Sequence, residues 1–159
     1  MDAELSELLA RLLRQRRTAA LGTLRDGAPF VSMVPYALAA DGSGFIVHVS
    51  KLAAHTKDML ADTRVSLLVA EAEGGGKSPL ALPRVSVRGL ARRIPSSSRE
   101  LPGFRAAYLA RFPDAEQMFG FADFSIFLIR PDSARFVAGF GQAHSLTGES
   151  LAQIVQQGR

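Results

Sequence analysis

Residues 18–38 read TAALGTLRDGAPFVSMVPYAL, two apolar-rich runs separated by Asp26-Gly27. An Asp-Gly pair between such runs is a strong hairpin signal, because the tightest turns need positive φ at both central positions. The spacing predicts strands over 18–25 and 29–38 paired antiparallel. A second turn, Asp41-Gly42-Ser43-Gly44, leads into FIVHVS at 45–50 as a third strand. RVSLLVAE at 64–71 and RVSVRGLARRI at 84–94 read as the fourth and fifth. DFSIFLIRP at 123–131 and ARFVAGFGQAHSL from 134 supply a sixth and a seventh, with Pro131-Asp132 as the turn between them.

Helical spacing appears around these strands. Leu5, Leu8, Leu9, Leu12 and Leu13 form one apolar stripe over 3–15. Shorter helices are expected at 52–62, at 98–120 with an interruption at Pro113, and at 148–157, starting at Gly148 to Ser150. The segment 71–83, rich in glycine and proline, reads as a mobile loop. Consecutive strands joined by short turns argue against parallel winding, so the expected fold class is mainly β (α+β), an antiparallel barrel with peripheral helices.

Composition narrows the functions. The 159 residues suit a single domain over 1–159. With no cysteine, zinc-thiolate sites, iron–sulfur clusters and thiol nucleophiles are excluded. No apolar run reaches 18 residues, and the N-terminus is acidic and amphipathic rather than leader-like, so a cytoplasmic protein without membrane association is expected. The net charge of +4 favours anionic partners, yet the basic residues are scattered, which argues against nucleic acid.

Several motifs fail on inspection. GGGKS at 74–78 ends like a phosphate loop, but Glu71 stands where a glycine is required and Pro79 obstructs the next helix. Gly139 and Gly141 begin a dinucleotide fingerprint whose third glycine position holds His144. The three histidines, His48, His55 and His144, lack metal-site spacing. More informative is the third strand running into KLAAHTKDML, which clusters His55, Thr56 and Lys57 at a helix start. Free backbone N–H groups attract a phosphate there, and Thr56 and Lys57 are suitable donors. Ordinary helix capping with a solvated lysine is the competing reading.

Four blocks, TLRDGAPFVSMVPYAL, SKLAAHTKDMLADTRVSLLVAE, RVSVRGLARRI and DFSIFLIRPDSARFVAGFGQAHSL, occur in an order that resembles the FMN-binding split β-barrel superfamily of pyridoxamine 5'-phosphate oxidase-like proteins. Within it they are most similar to the branch related to haem utilisation. The resemblance implies a split barrel of six to seven strands, a homodimer, and FMN held at the subunit interface, with a small molecule or reduced cofactor as redox partner. It implies that Ser32, Met33 and Val34 border the flavin, that His48 and Val49 line its ring and ribityl side, and that His55, Thr56 and Lys57 hold the phosphate. Arg84 matches a polar position near the flavin, and Phe140, Gln142 and His144 would come from the other subunit on a strand bulged at Gly139 and Gly141.

Departures qualify the activity. No arginine follows His144 until Arg159, against the substrate-gripping arginine of true pyridoxamine 5'-phosphate oxidases. The alternative implied by the resemblance is a haem-binding or haem-degrading protein with His144 or His48 as iron ligand, arginines on the propionates, and Asp123 matching an acidic position of those relatives. A cofactor-free carrier is the third possibility.

Overall fold

The computed structural model describes residues 1–158, so Arg159 lies outside the described residues. The helix α1 (Ala3–Gln15) opens with Asp2, whose carboxylate accepts from the Leu5 amide at 2.9 Å, and it buries Leu9, Leu12 and Leu13. A side-chain cap of this kind contributes about 1 kcal/mol. The hairpin β1 (Thr18–Arg25) and β2 (Ala28–Pro35) follows as the turn chemistry dictates, with φ of 52° at Asp26 and 80° at Gly27. The run 29–38 does not stay one strand. It breaks at the fully buried Tyr36, whose hydroxyl donates to the Leu13 carbonyl at 2.7 Å, and resumes as β3 (Ala37–Leu38).

The remaining elements are β4 (Phe45–Ser50), α2 (Ala54–Ala61), β5 (Arg64–Ala70), β6 (Arg84–Arg93), α3 (Leu101–Arg111), β7 (Phe124–Gly139), β8 (Gln142–Thr147) and α4 (Gly148–Gln157). Short 3-10 segments occupy Pro79–Ala81 and Pro113–Gly120. All strand pairs are antiparallel, in the order β2-β1-β5-β6-β7-β4-β3, with β8 added to β7. This is the expected split barrel. One core fills its interior, where Phe45, Val47, Leu67, Phe127 and Phe136 meet α1 and α4. A second core lies outside β4 and β7, where Ile46, Ile126 and Leu128 meet Phe104 and Tyr108 of α3.

Two expectations are corrected at the C-terminal end. Pro131-Asp132 is no turn: both lie within β7, which runs for 16 residues. Proline is tolerated in a sheet at bulges, and the register of β6 against β7 shifts at Arg88/Gly89, beside the Gly89–Pro131 pair. The chain reverses later, inside the stretch read as the seventh strand. A bulge at Val137/Gly139 leads into a turn at Phe140-Gly141, with Gly141 at φ 75°. The anticipated bulge is present, but it closes a hairpin rather than bending a single strand.

Three glycines permit β7 to make its bend. A Cβ on Gly44, Gly89 or Gly148 would overlap the carbonyl oxygens of Ile129, Arg130 and Pro131 respectively. These neighbours are backbone and cannot rotate away. Gly89→Ala is therefore expected to cost about 1–3 kcal/mol, the usual range for overpacking, read as a lowered urea midpoint at unchanged m-value.

Candidate functional site

The helix α2 is fixed against the β1–β2 hairpin by one carboxylate. Asp58, 4 % exposed, accepts from Thr23 Oγ1 at 2.8 Å and from Arg25 Nε at 3.0 Å. The Arg25 guanidinium, followed by the Thr23 hydroxyl, holds the Asp58 carboxyl below the usual carboxylate range, and Arg25 also lies over the Phe30 ring at 4.5 Å. This clamp sets the first turn of α2 beside β2, where Ser32 Oγ and His55 Nδ1 stand 3.0 Å apart. Burial pushes the His55 imidazole below its ordinary pKa of 6.5, opposed by the Asp58 charge, so the ring is predominantly neutral at pH 7.

The three residues read as phosphate holders are not equivalent. Lys57 is exposed and makes no ion pair among the described residues. Thr56 is 1 % exposed, and its hydroxyl is sealed without a partner. Ala53 offers no side-chain cap, so the free amides of the first turn are the other anion donors at this helix start. The other residues read as FMN neighbours divide by strand face. Met33 is 64 % exposed, whereas Val34 and Val49 are buried in the interior core.

His48 is placed elsewhere. Its side chain leaves β4 toward the second core, stacked on Phe119 with centroids 3.9 Å apart and planes at 11°. It lines a cavity of about 320 Å³ with Arg93, Arg105, Phe121 and Phe124. Burial, aided by the Arg105 charge, pushes its pKa from 6.5 down to about 4. No contact joins it to His55 or Ser32 among the described residues. At the other end, Phe140 is 82 % exposed at the β7–β8 tip, Gln142 is exposed, and His144 has its Nε2 sealed without a partner. Arg84 donates to the Leu80 and Leu82 carbonyls at 3.2 and 3.0 Å, bracing the loop before β6. Asp123 accepts from Ser50 Oγ at 2.9 Å and so ties the end of β4 to the start of β7.

The outward face of the sheet is open. Register puts Met33, Ala20 and Leu68 in one row across β2, β1 and β5, and Val31, Gly22, Ser66 and Arg88 in the next, which reaches β6. Val31 and Met33 are about two-thirds exposed, at 66 % and 64 %, and Leu68 is 42 % exposed. A cleft of about 440 Å³ runs over Gly22, Leu24, Pro29 and Leu90, with Arg88 at its side. Among the described residues no group of three or more His, Asp or Glu is placed to hold a metal ion, and no helix is long and apolar enough to cross a membrane.

The family model described as Pyridoxamine 5'-phosphate oxidase matches residues 5–138. The chain belongs to the pyridoxamine 5'-phosphate oxidase family. Among members and relatives, it is 40% identical over 124 residues to the chloroplastic non-canonical haem oxygenase HOZ of Arabidopsis thaliana, covering 78% of this chain and 36% of that protein. It is 26% identical over 157 residues to the haem oxygenase HutZ of Vibrio cholerae, covering 98% of this chain and 88% of HutZ. A haem-binding protein of Mycobacterium smegmatis superposes with a TM-score of 0.85 at 30% identity, covering 96% of this chain and 62% of that one. The chain thus spans about a third of HOZ and under two thirds of the mycobacterial protein. These relatives set this pyridoxamine 5'-phosphate oxidase family chain in the haem-related branch that its sequence blocks resemble.

Sequence reading missed the contacts that hold α2 and His48 in place. Asp58 follows His55 by three residues on one helix face, and Arg25 adjoins the Asp-Gly turn. That spacing was a usable signal for a clamp, whereas the pairing of Phe119 with His48 left none. Because the folded pKa of His48 lies below its unfolded value, the folded state binds fewer protons between pH 6.5 and about 4. Its contribution to stability is full above pH 6.5 and is lost as pH falls toward 4. His48→Leu is expected to flatten the pH dependence of stability across that window, measured by urea unfolding at several pH values.

Proposed function

We propose that this chain is a haem-binding protein that works as a homodimer, the two copies joined through their outward sheet faces. The observation that carries this reading is that open face, apolar across β2, β1 and β5 and bearing Arg84 and Arg88 on β6. A contiguous exposed apolar patch of this kind marks an interaction surface. A flat apolar macrocycle with two carboxylates suits a surface that is apolar in one part and cationic in the next. The haem-related names of HOZ, HutZ and the mycobacterial protein support the same ligand.

The residues fit haem better than FMN. An FMN phosphate needs converging donors, yet Thr56 Oγ1 is sealed and His55 Nδ1 is engaged by Ser32, which leaves Lys57 and the backbone amides of the α2 start. Haem asks instead for apolar area, cations for its carboxylates and an axial donor to its iron. Val31, Met33 and Leu68 supply the first on the sheet, and Arg88 is free of carboxylate partners among the described residues. Bound haem supplies an iron centre; the chain's own part is to bind it, orient it and exclude water.

Haem titration into the purified protein is expected to produce a Soret band that saturates at a fixed ratio, with a dimer mass by light scattering. Met33→Asp, which puts a charge into the apolar row, is expected to weaken both dimerisation and haem uptake by about tenfold or more, as burying an unpaired charge costs several kcal/mol. A protein purified with flavin absorbance and without response to haem overturns the reading in favour of FMN.

A further inference from the structure

The chain has three imidazoles, and the structure treats them differently. The His144 ring has its Nε2 sealed without a hydrogen-bond partner, so that atom meets no ligand unless the β7–β8 hairpin opens. The His48 ring is stacked on Phe119 and touched by Tyr108 and Phe124 within the aromatic cluster under α3. The His55 ring has one nitrogen engaged and one free. Its Nδ1 is paired with Ser32 Oγ, and its Nε2 has no hydrogen bond among the described residues and is not one of the sealed atoms.

A metal-ligating histidine characteristically has this form, with the distal nitrogen held by a hydrogen bond that fixes the tautomer and the ring plane. The helix that carries His55 is itself immobilised, because Asp58 is bonded to both Thr23 and Arg25. The surroundings suit a dianionic macrocycle. Leu52, 78 % exposed, and the exposed Lys51 and Lys57 flank the imidazole in the chain. Ser32 lies on β2, the edge strand whose opposite face carries the exposed Val31 and Met33. His55 therefore stands on the inward side of the edge strand β2, outside both core clusters.

We propose that His55 Nε2 is the axial donor to haem iron, with Ser32 as the positioning residue that orients its ring. This rests on the haem reading of the preceding subsection. The ligand assignment differs from the residues that the family resemblance suggested, His144 and His48.

The test uses the full chain loaded with ferric haem, read by the Soret and visible bands and by electron paramagnetic resonance. His55→Ala is expected to shift the Soret band and weaken haem affinity by more than tenfold. Added imidazole, entering the space left by the side chain, should restore the wild-type spectrum. Ser32→Ala is expected to keep an imidazole-ligated spectrum while losing about 10-fold or more in affinity. His144→Ala is expected to leave the spectrum unchanged, and thermal melts confirm that each variant is folded. If wild-type protein gives no Soret band, the haem reading itself falls. If wild-type protein binds haem and His55→Ala keeps the same spectrum with and without imidazole, the haem reading stands and the His55 assignment is overturned, as it is if His144→Ala alone loses the ligand.

Discussion

Every part of the fold depends on β7 being hydrogen-bonded on both sides along nearly its whole length while changing partners midway. One edge follows β6 from Arg93 back to Arg84; the other follows β4 up to Ile129 and β8 from Ser133 onward. The exchange of partners occurs at Arg130 and Pro131, where the missing proline N–H costs least, and three glycines allow neighbouring backbones to close on those carbonyls. Because β7 bends there, the sheet curls and encloses an interior core on one side while Ile126 and Leu128 turn toward α3 on the other. A straight strand would give a flat sheet with one covered face.

The same curl leaves one face of the sheet open. With α1 and α4 covering the interior and α3 covering the outside of β4 and β7, nothing among the described residues covers the outward face of β1, β2 and β5. The helix α2 packs chiefly against β1 and also meets β2 and β6, and its position is electrostatic as much as hydrophobic. A buried carboxylate needs partners or its desolvation is uncompensated, and Asp58 finds them in Thr23 and Arg25 on the first hairpin. That requirement brings His55 to Ser32, so the buried carboxylate and the imidazole it helps to place share one short helix.

Legibility in the sequence followed the range of the interactions. The Asp26-Gly27 hairpin, the leucine stripe of α1 and the strands β4 to β6 were readable because their causes are local: turn chemistry and period. The fate of Pro131 was not, because proline reads as a turn unless a glycine at the facing position of another strand absorbs the bulge, here Gly89, more than forty residues earlier. Phe140-Gly141 failed for a related reason, since the bulge before it disguises the point of reversal. Within the site, strand alternation places His48 on the face of β4 opposite Val47 and Val49. What covers that face, Phe119 and α3, is a tertiary fact. The resemblance supplied the neighbourhood of Ser32 and His55, and the structure supplied the bond between them and the sealing of the Thr56 hydroxyl.

The account's central claim is that iron is met at the border of β2 and α2. Proton and nitrogen magnetic resonance of the ferric haem complex, with isotope-labelled histidine, reports that location directly, because nuclei on the ligating ring feel the unpaired electrons most strongly. The account predicts large hyperfine shifts for the His55 ring and ordinary positions for His48 and His144. A hyperfine-shifted His144 or His48 ring beside an unperturbed His55 would contradict it.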